Sequence, residues 1–458
     1  MRVRLWAAAL GFAFAWQASA HAEWSATLPA FKACTPATPP EMPERWHAVG
    51  LMLPLHDGQI DVGEFDYDGP AQAMRATVYG LESGTADILI TDQDTYLLSG
   101  PHQAPTRCVS LGAKMRLPSA QWLTAQSQCA GETPIAGMPV QWWQKPGFDS
   151  ARYWFRTGTR LPWRTLFLKR TLDPAIIGDY AMTYFPAFTP VLETHLAALK
   201  ALCTGAPRST KELSETPTAR ELMMIGNKTG EAERETRVAE LVPGLSHKAC
   251  ARKTPSQWPD RYVMTAVVTP IALEDAPYPT LIYYDWNEAQ TQLVLPFHGY
   301  PPALEGLLSL KKQVGYRLKF SHSAAKPGVC HSDLPGIVKP DWMKAASCSC
   351  KGVISANAAL GVDAETQILS CPIRNQKPRI MWSWYTSKGK PILFMEAEPS
   401  SGGVMLADYD AWIPGETGRA SDFELPNACA PVADPRAAPS GGAPNFSSVS
   451  CSDCHTTR

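Results

Sequence analysis

Arg45-Trp46-His47-Ala48-Val49-Gly50-Leu51-Met52-Leu53, then Phe65-Asp66-Tyr67-Asp68 and Ala71-Gln72, has a second version downstream: Arg261-Tyr262-Val263-Met264-Thr265-Ala266-Val267-Val268-Thr269, then Ile282-Tyr283-Tyr284-Asp285 and Ala289-Gln290. A self-similar stretch of this length means that one structural unit has been written twice. The two frames stay in step outward. Cys34 and Cys250 each stand 11 residues before the opening arginine. Cys108 and Cys330 are each followed by a proline and a tryptophan, Pro118 with Trp122 and Pro340 with Trp342. Cys129-Ala130-Gly131 matches Cys350-Lys351-Gly352. Trp154-Phe155, Gly158 and Pro162 match Trp384-Tyr385, Gly389 and Pro391, each set reading as a hairpin that returns through Leu166-Phe167-Leu168 or Ile392-Leu393-Phe394. Each copy closes on Asp-Tyr, an aromatic and a proline, Asp179-Tyr180 to Tyr184 and Pro186 or Asp408-Tyr409 to Trp412 and Pro414, before a last cysteine, Cys203 or Cys429.

Most segments are short, with alternating apolar positions, the pattern of half-buried antiparallel strands. The expected class is therefore mainly β (α+β): two tandem antiparallel sheets with a few short helices, the clearest over Val191–Leu202. The chain has 458 residues, room for two domains, with 45 % hydrophobic and 19 % charged residues. Its 41 prolines are scattered, which excludes long-helix bundles. A net charge of −1 without a basic run argues against nucleic acid as a partner. The organisation reads as a signal peptide at 1–20, a first domain at 21–205, a charged linker with short helices at 206–249, a second domain at 250–430 and a flexible tail at 431–458.

Residues 1–20 have the charged, apolar, small-residue order of a secretory signal, ending Ala18-Ser19-Ala20. No later stretch is long and apolar enough to span a bilayer, so the expectation is a soluble, exported, periplasmic protein. In that compartment Cys34, Cys108, Cys129, Cys203, Cys250, Cys330, Cys348, Cys350, Cys371 and Cys429 read as five disulfides within the domains, of unassigned connectivity.

Each copy resembles the ependymin-related proteins and, more distantly, the LolA/LppX half-barrel superfamily. The resemblance lies in Tyr284-Asp285 with Ala289-Gln290, the closing Asp-Tyr, and Phe423, Pro426 and Cys429. It implies two tandem curved half-barrels around a hydrophobic groove, and a lipid or other hydrophobic small molecule as ligand. The groove aromatics would be Trp154, Phe155, Trp382, Trp384 and Tyr385; packing in an ordinary core is the other reading of the same residues.

Cys451-Ser452-Asp453-Cys454-His455 is left over, and it is the Cys-x-x-Cys-His of c-type haem attachment. Two thiols three positions apart meet the two vinyl groups of a porphyrin, and the adjacent imidazole becomes an axial iron ligand. One covalent haem c on Cys451 and Cys454, with His455 on the iron, would make the tail an electron carrier with a periplasmic redox partner. The competing readings are a Cys451–Cys454 disulfide on a non-haem tandem lipid carrier, a thiol redox pair, and a zinc site shared with His331 or His322. No nucleophile elbow, phosphate loop, dinucleotide fingerprint or zincin motif occurs, so an enzymatic reading reduces to a haem-dependent oxidoreductase.

Overall fold

The computed structural model describes residues 39–418 except 55–57, 82–83, 101–104, 113–116, 118–126, 146–150, 160, 168–179, 191–195, 211–221, 225–229, 253–256, 270–277, 288, 295–303, 311–313, 321–326, 336–338, 375–377, 387 and 399–402. The signal peptide expected at 1–20, the tail at 431–458, and Cys34 and Cys429 lie outside the described residues.

The first copy folds into β1 (Arg45–Pro54), β2 (Asp61–Asp68), β3 (Ala73–Gly80), β4 (Gly84–Thr91), β5 (Thr95–Ser99), β6 (Arg107–Ser110), β7 (Gln128–Ile135), β8 (Met138–Lys145), β9 (Ala151–Arg156), β10 (Pro162–Phe167) and β11 (Tyr180–Thr189). Helices α1 (Leu196–Cys203) and α2 (Glu231–Leu241) follow. The second copy comprises β12 (Leu245–Ser246), β13 (Arg261–Thr269), β14 (Tyr278–Asp285), β15 (Ala289–Val294), β16 (Leu304–Leu310), β17 (Val314–Phe320), β18 (Pro327–Pro335), α3 (Trp342–Ala345), β19 (Ser349–Ile354), β20 (Thr366–Arg374), β21 (Pro378–Thr386), β22 (Pro391–Glu398) and β23 (Gly403–Pro414). Among the described residues the first sheet runs β6-β5-β4-β3-β2-β1-β11-β10-β9-β8-β7, and the second repeats that order from β18 to β19 with β12 added at the β19 edge. Neither sheet closes on itself, and the ladders between neighbouring strands are antiparallel.

The repeat is visible in the ladders. Arg45 pairs with Asp68 and Trp46 with Tyr67, as Arg261 pairs with Asp285 and Tyr262 with Tyr284. Each opening arginine bonds the aspartate opposite it, Arg45 Nε to Asp68 at 3.2 Å and Arg261 Nε to Asp285 at 3.1 Å. Both aspartates also accept a following backbone N–H, from Ala71 and Asn287, which marks them as turn residues. Pro162 and Pro391 stand opposite Phe155 and Tyr385 at matching ladder irregularities, where the missing proline N–H leaves no donor unpaired. The closing strand corrects the sequence alignment. Tyr184 lies opposite Leu51 and Arg164, whereas Asp408 lies opposite Val267 and Leu393. Asp408 therefore occupies the place of Tyr184, not of Asp179. The two-residue Asp-Tyr motif misframed this strand because residues 168–179 separate β10 from β11 while only 399–402 separate β22 from β23.

Strand alternation gives each sheet two apolar faces. Val49, Leu51 and Leu53 of β1 point one way, and Trp46, Ala48 and Met52 the other. The first set joins Trp142, Trp154, Trp163 and Tyr184 in a core shared with Val267, Ile368, Trp382, Trp384 and Leu406 of the second sheet. The opposite faces form separate cores, one per sheet. Among the described residues, Met42, Leu111, Leu222 and Met223 join the first of these cores from outside the strands of the first sheet. Eleven strands at about 4.8 Å would spread over roughly 50 Å if flat, and the native twist of strands curves so wide a sheet. The sheets are thus cups standing back to back.

The backs are joined by a buried ion pair. Arg164 of β10 donates from Nη1 and Nη2 to Asp408 of β23 at 2.6 and 2.8 Å, and from Nη1 to the Tyr184 hydroxyl at 3.2 Å. Its guanidinium lies over the Trp154 ring at 4.1 Å and the Trp163 ring at 5.0 Å. Burial would favour losing this charge, but Asp408 outweighs it and the Arg164 pKa rises further. Burial pushes the Tyr184 phenol up to about 12. Two indoles also cross the interface: Trp163 Nε1 donates to Ala359 O at 2.8 Å and Trp382 Nε1 to Pro54 O at 3.1 Å.

Disulfides Cys108–Cys203, Cys250–Cys350 and Cys348–Cys371 are present, Cys203 and Cys371 being buried, and Cys129 is also disulfide-bonded. Cys203 ends α1, one residue past the helical segment expected over Val191–Leu202; α1 lays Leu196 and Leu199 on Leu89 and Leu98. The charged segment 206–249 does more than connect. In α2, Arg237 pairs with Glu64 of β2, and Val238 and the following Val242 enter the shared core.

Replacing Asp408 by Asn leaves the Arg164 charge buried without a counter-charge. The expected cost is about 3–5 kcal/mol, read as a lowered urea midpoint, and the double variant Arg164→Met, Asp408→Leu should recover most of it. An unchanged midpoint in the single variant would contradict this account of the interface.

Candidate functional site

The same alternation that builds the shared core aims the remaining side chains into the cups. In β9, Trp154 faces the partner sheet while Tyr153 and Phe155 face the first cup; in β21, Trp382 and Trp384 face the partner sheet while Tyr385 faces the second cup. The five aromatics predicted to line one kind of groove are therefore divided, three to the shared core and one to each cup. All five are buried.

The first cup has a floor of small residues, Ala48, Ala76 and Ala86, with Met42, Met52, Met74 and Met223 around it. Phe65 lies flat against two glycines of its own floor. A Cβ at Gly50 would come within 2.8 Å of its ring and one at Gly63 within 2.6 Å, so neither position accepts a larger residue without moving Phe65. Trp46 stacks on Tyr67 at 5.4 Å and on Phe188 at 5.4 Å, closing one side.

The second cup is aromatic at its centre. Trp258, three residues before the opening arginine, meets Tyr262 edge-on at 5.2 Å and Trp342 of α3 at 5.7 Å. Its indole N–H donates to the Tyr385 hydroxyl at 3.1 Å, and its backbone N–H to Pro340 O at 3.0 Å. Tyr262 stacks on Tyr284 at 4.5 Å. Burial raises the Tyr262 and Tyr385 phenols well above their ordinary value, so both stay protonated at any physiological pH. Buried polar atoms without a partner occur in both cups, Trp143 Nε1 in the first and Tyr262 Oη and Trp342 Nε1 in the second, so they do not distinguish them.

On the back of the first sheet, beside the shared core, lies a charged band. Arg75 makes a two-pronged pair with Asp87 at 3.0 and 2.6 Å, and His47 Nδ1 lies 2.8 Å from Asp66. Tyr79 donates to Glu64, which also receives Arg237. No nucleophile is placed against the His47–Asp66 pair among the described contacts, and no described group of three or more His, Cys, Asp or Glu side chains is arranged to hold a metal ion. The haem residues Cys451, Cys454 and His455 lie outside the described residues. No helix among the described residues is long and apolar enough to cross a membrane.

Sequence reading missed Met42 and Trp258. The signal was present, since Glu41-Met42-Pro43-Glu44-Arg45-Trp46 and Gln257-Trp258-Pro259-Asp260-Arg261-Tyr262 extend the repeat upstream of the opening arginines already in step. It also missed Arg164, whose copy-two counterpart is Leu393 and so breaks the repeat.

No family model matches the chain, and no curated protein matches it. Among solved structures, a LolA superfamily protein from Nitrosomonas europaea is matched at 11 % identity over 42 % of this chain and 97 % of that one, with a TM-score of 0.21. The MucA/MucB complex of Pseudomonas aeruginosa is matched at 11 % identity over 80 % of this chain and 87 % of that one, also at 0.21. A separate structure of MucB gives 13 % identity, 56 % and 75 % coverage and a TM-score of 0.19.

Asp66 raises the His47 pKa above the ordinary 6.5, chiefly through their hydrogen bond, against a smaller lowering by burial. A raised folded-state value means that protonated His47 stabilises the fold fully below pH 6.5 and that the contribution is lost as pH rises through the folded pKa. The stability gap between wild type and His47→Gln should therefore be largest below pH 6 and fade towards pH 8 in urea titrations. With the imidazole 34 % exposed, solvent screening keeps the effect small.

Proposed function

We propose that the protein is an exported, periplasmic binding protein whose cupped sheets hold a hydrophobic small molecule or the acyl chain of a lipid. The observation that carries this reading is the first cup: a mostly apolar face with an alanine floor and four methionines, its polar atoms few and buried, as at Thr165, Thr183 and the Trp143 indole. Small floor residues leave depth between the strands, and unbranched, polarizable methionine side chains re-pack around whatever shape enters. The half-barrel resemblance of the sequence supports the same ligand class. The test is an organic extract of protein purified under native conditions, analysed by mass spectrometry and followed by native mass spectrometry of the delipidated protein with oleic acid. The expected result is a stoichiometric co-purifying lipid or fatty acid that oleate replaces. A clean extract with no oleate adduct would overturn the reading.

A second reading concerns the tail, and cysteine accounting favours it. Cys250–Cys350 and Cys108–Cys203, carried across the repeat, assign Cys34 to Cys129 and Cys330 to Cys429. With Cys348–Cys371, every cysteine but Cys451 and Cys454 then has a partner. Two thiols at this spacing with an adjacent imidazole are the donor set of covalent haem c, which when bound supplies one-electron transfer towards a periplasmic redox partner. Cys451 and Cys454 would anchor it, and His455 would bind its iron. A pyridine haemochrome spectrum with intact mass and disulfide mapping, on protein made with a haem-attachment system, should show one haem and the five disulfides above. A haem-free mass with a Cys451–Cys454 disulfide would overturn the electron-transfer reading and leave the tandem carrier.

A further inference from the structure

We infer that the two cups have divided their roles: ligand binding belongs to the first, while the second is filled by its own Trp258. The inference rests on the proposal that the cups are ligand sites and says which one is used. Met42 and Trp258 are repeat equivalents, each three residues before the opening arginine, and each is buried in its own cup. Phe155 and Tyr385 are likewise equivalent, since they stand opposite Pro162 and Pro391 in matching ladders. In the second copy this pair of positions forms a buried hydrogen bond, from the Trp258 indole to the Tyr385 hydroxyl at 3.1 Å. In the first copy neither partner can make it, because methionine has no donor and phenylalanine no acceptor.

The surroundings reinforce the difference. Trp258 is held edge-on by Tyr262 and Trp342, and its backbone N–H is fixed on Pro340 O. Moving it would break two hydrogen bonds and the aromatic contacts together. Met42 shares its cup with alanines, other methionines and aromatics such as Trp143, Tyr153 and Phe155, and its flexible thioether has no N–H whose hydrogen bond must break when it withdraws. An acyl chain competing for the same position therefore displaces a methionine in the first cup and would have to displace a clamped indole in the second.

Delipidated protein is titrated with oleic acid by native mass spectrometry, and a diazirine-bearing analogue of oleic acid is photolysed on the full chain and mapped by peptide sequencing. One oleate per chain, with label confined to the first copy, is expected. Met42→Trp, which writes the second copy's residue into the first, should weaken binding roughly tenfold or more, the effect of overpacking a fitted site. Trp258→Met, with the milder Tyr385→Phe beside it, should add a second, weaker oleate. Label in the second copy of the wild-type chain, or two equivalent oleates before any substitution, overturns the division of roles while leaving the carrier reading intact. Absence of binding in wild type and in Trp258→Met overturns both. The photolabelling needs no variant, so it decides the matter even where a substitution unfolds the protein.

Discussion

Arg164 is a permanently charged group with no exposed side-chain surface, and the arrangement of the two sheets follows from what that requires. The first copy alone supplies aromatic faces and one phenol but no counter-charge; the carboxylate comes from Asp408, 244 residues away. The sheets must therefore stand back to back at one register, and Tyr184 against Trp384, with ring centroids 5.0 Å apart, packs in the same place. Because Asp408 occupies the position of Tyr184 in the other copy, the pair forms only between unlike copies. Two first copies would present a phenol to Arg164, and two second copies would present Leu393 in its place.

Committing the backs of the sheets to one another leaves the cups facing away, each lined by the alternate set of side chains. Duplication gave both cups the same frame of strands, and divergence at a few positions made them chemically different. The first has a methionine and a phenylalanine where the second has Trp258 hydrogen-bonded to Tyr385, although both cups also carry stacked aromatics. Helix α2 adds to the asymmetry. Its Arg237 grips Glu64 on the back of the first sheet while Val238 enters the core between the sheets, so the connection between copies helps set their placement.

Much of this was legible in the residues, and the limits have physical causes. The hairpins were readable because aromatic strand, glycine turn and apolar strand recur in step, and the repeat prolines fall where the ladder is irregular. The closing strand was misframed because a short motif carries less alignment information than a change of loop length removes. Trp154, Trp382 and Trp384 could be recognised as inward-facing, but alternation alone does not say which of two apolar faces is a cup and which is an interface. Arg164 carried no signal at all, since an arginine in a strand ordinarily reads as a solvent-facing position.

The sequence by itself determined the duplication, the antiparallel strands and the aromatic hairpin of each copy, because these depend on local alternation, turns and repeated landmarks. It also set which cysteines are shared by both copies and which two are left over. Only the tertiary structure decided that the sheets join through their backs, that a buried ion pair holds them there, and that an indole fills one cup where a methionine lines the other. Those outcomes depend on contacts between residues hundreds of positions apart, where neither periodicity nor spacing carries information.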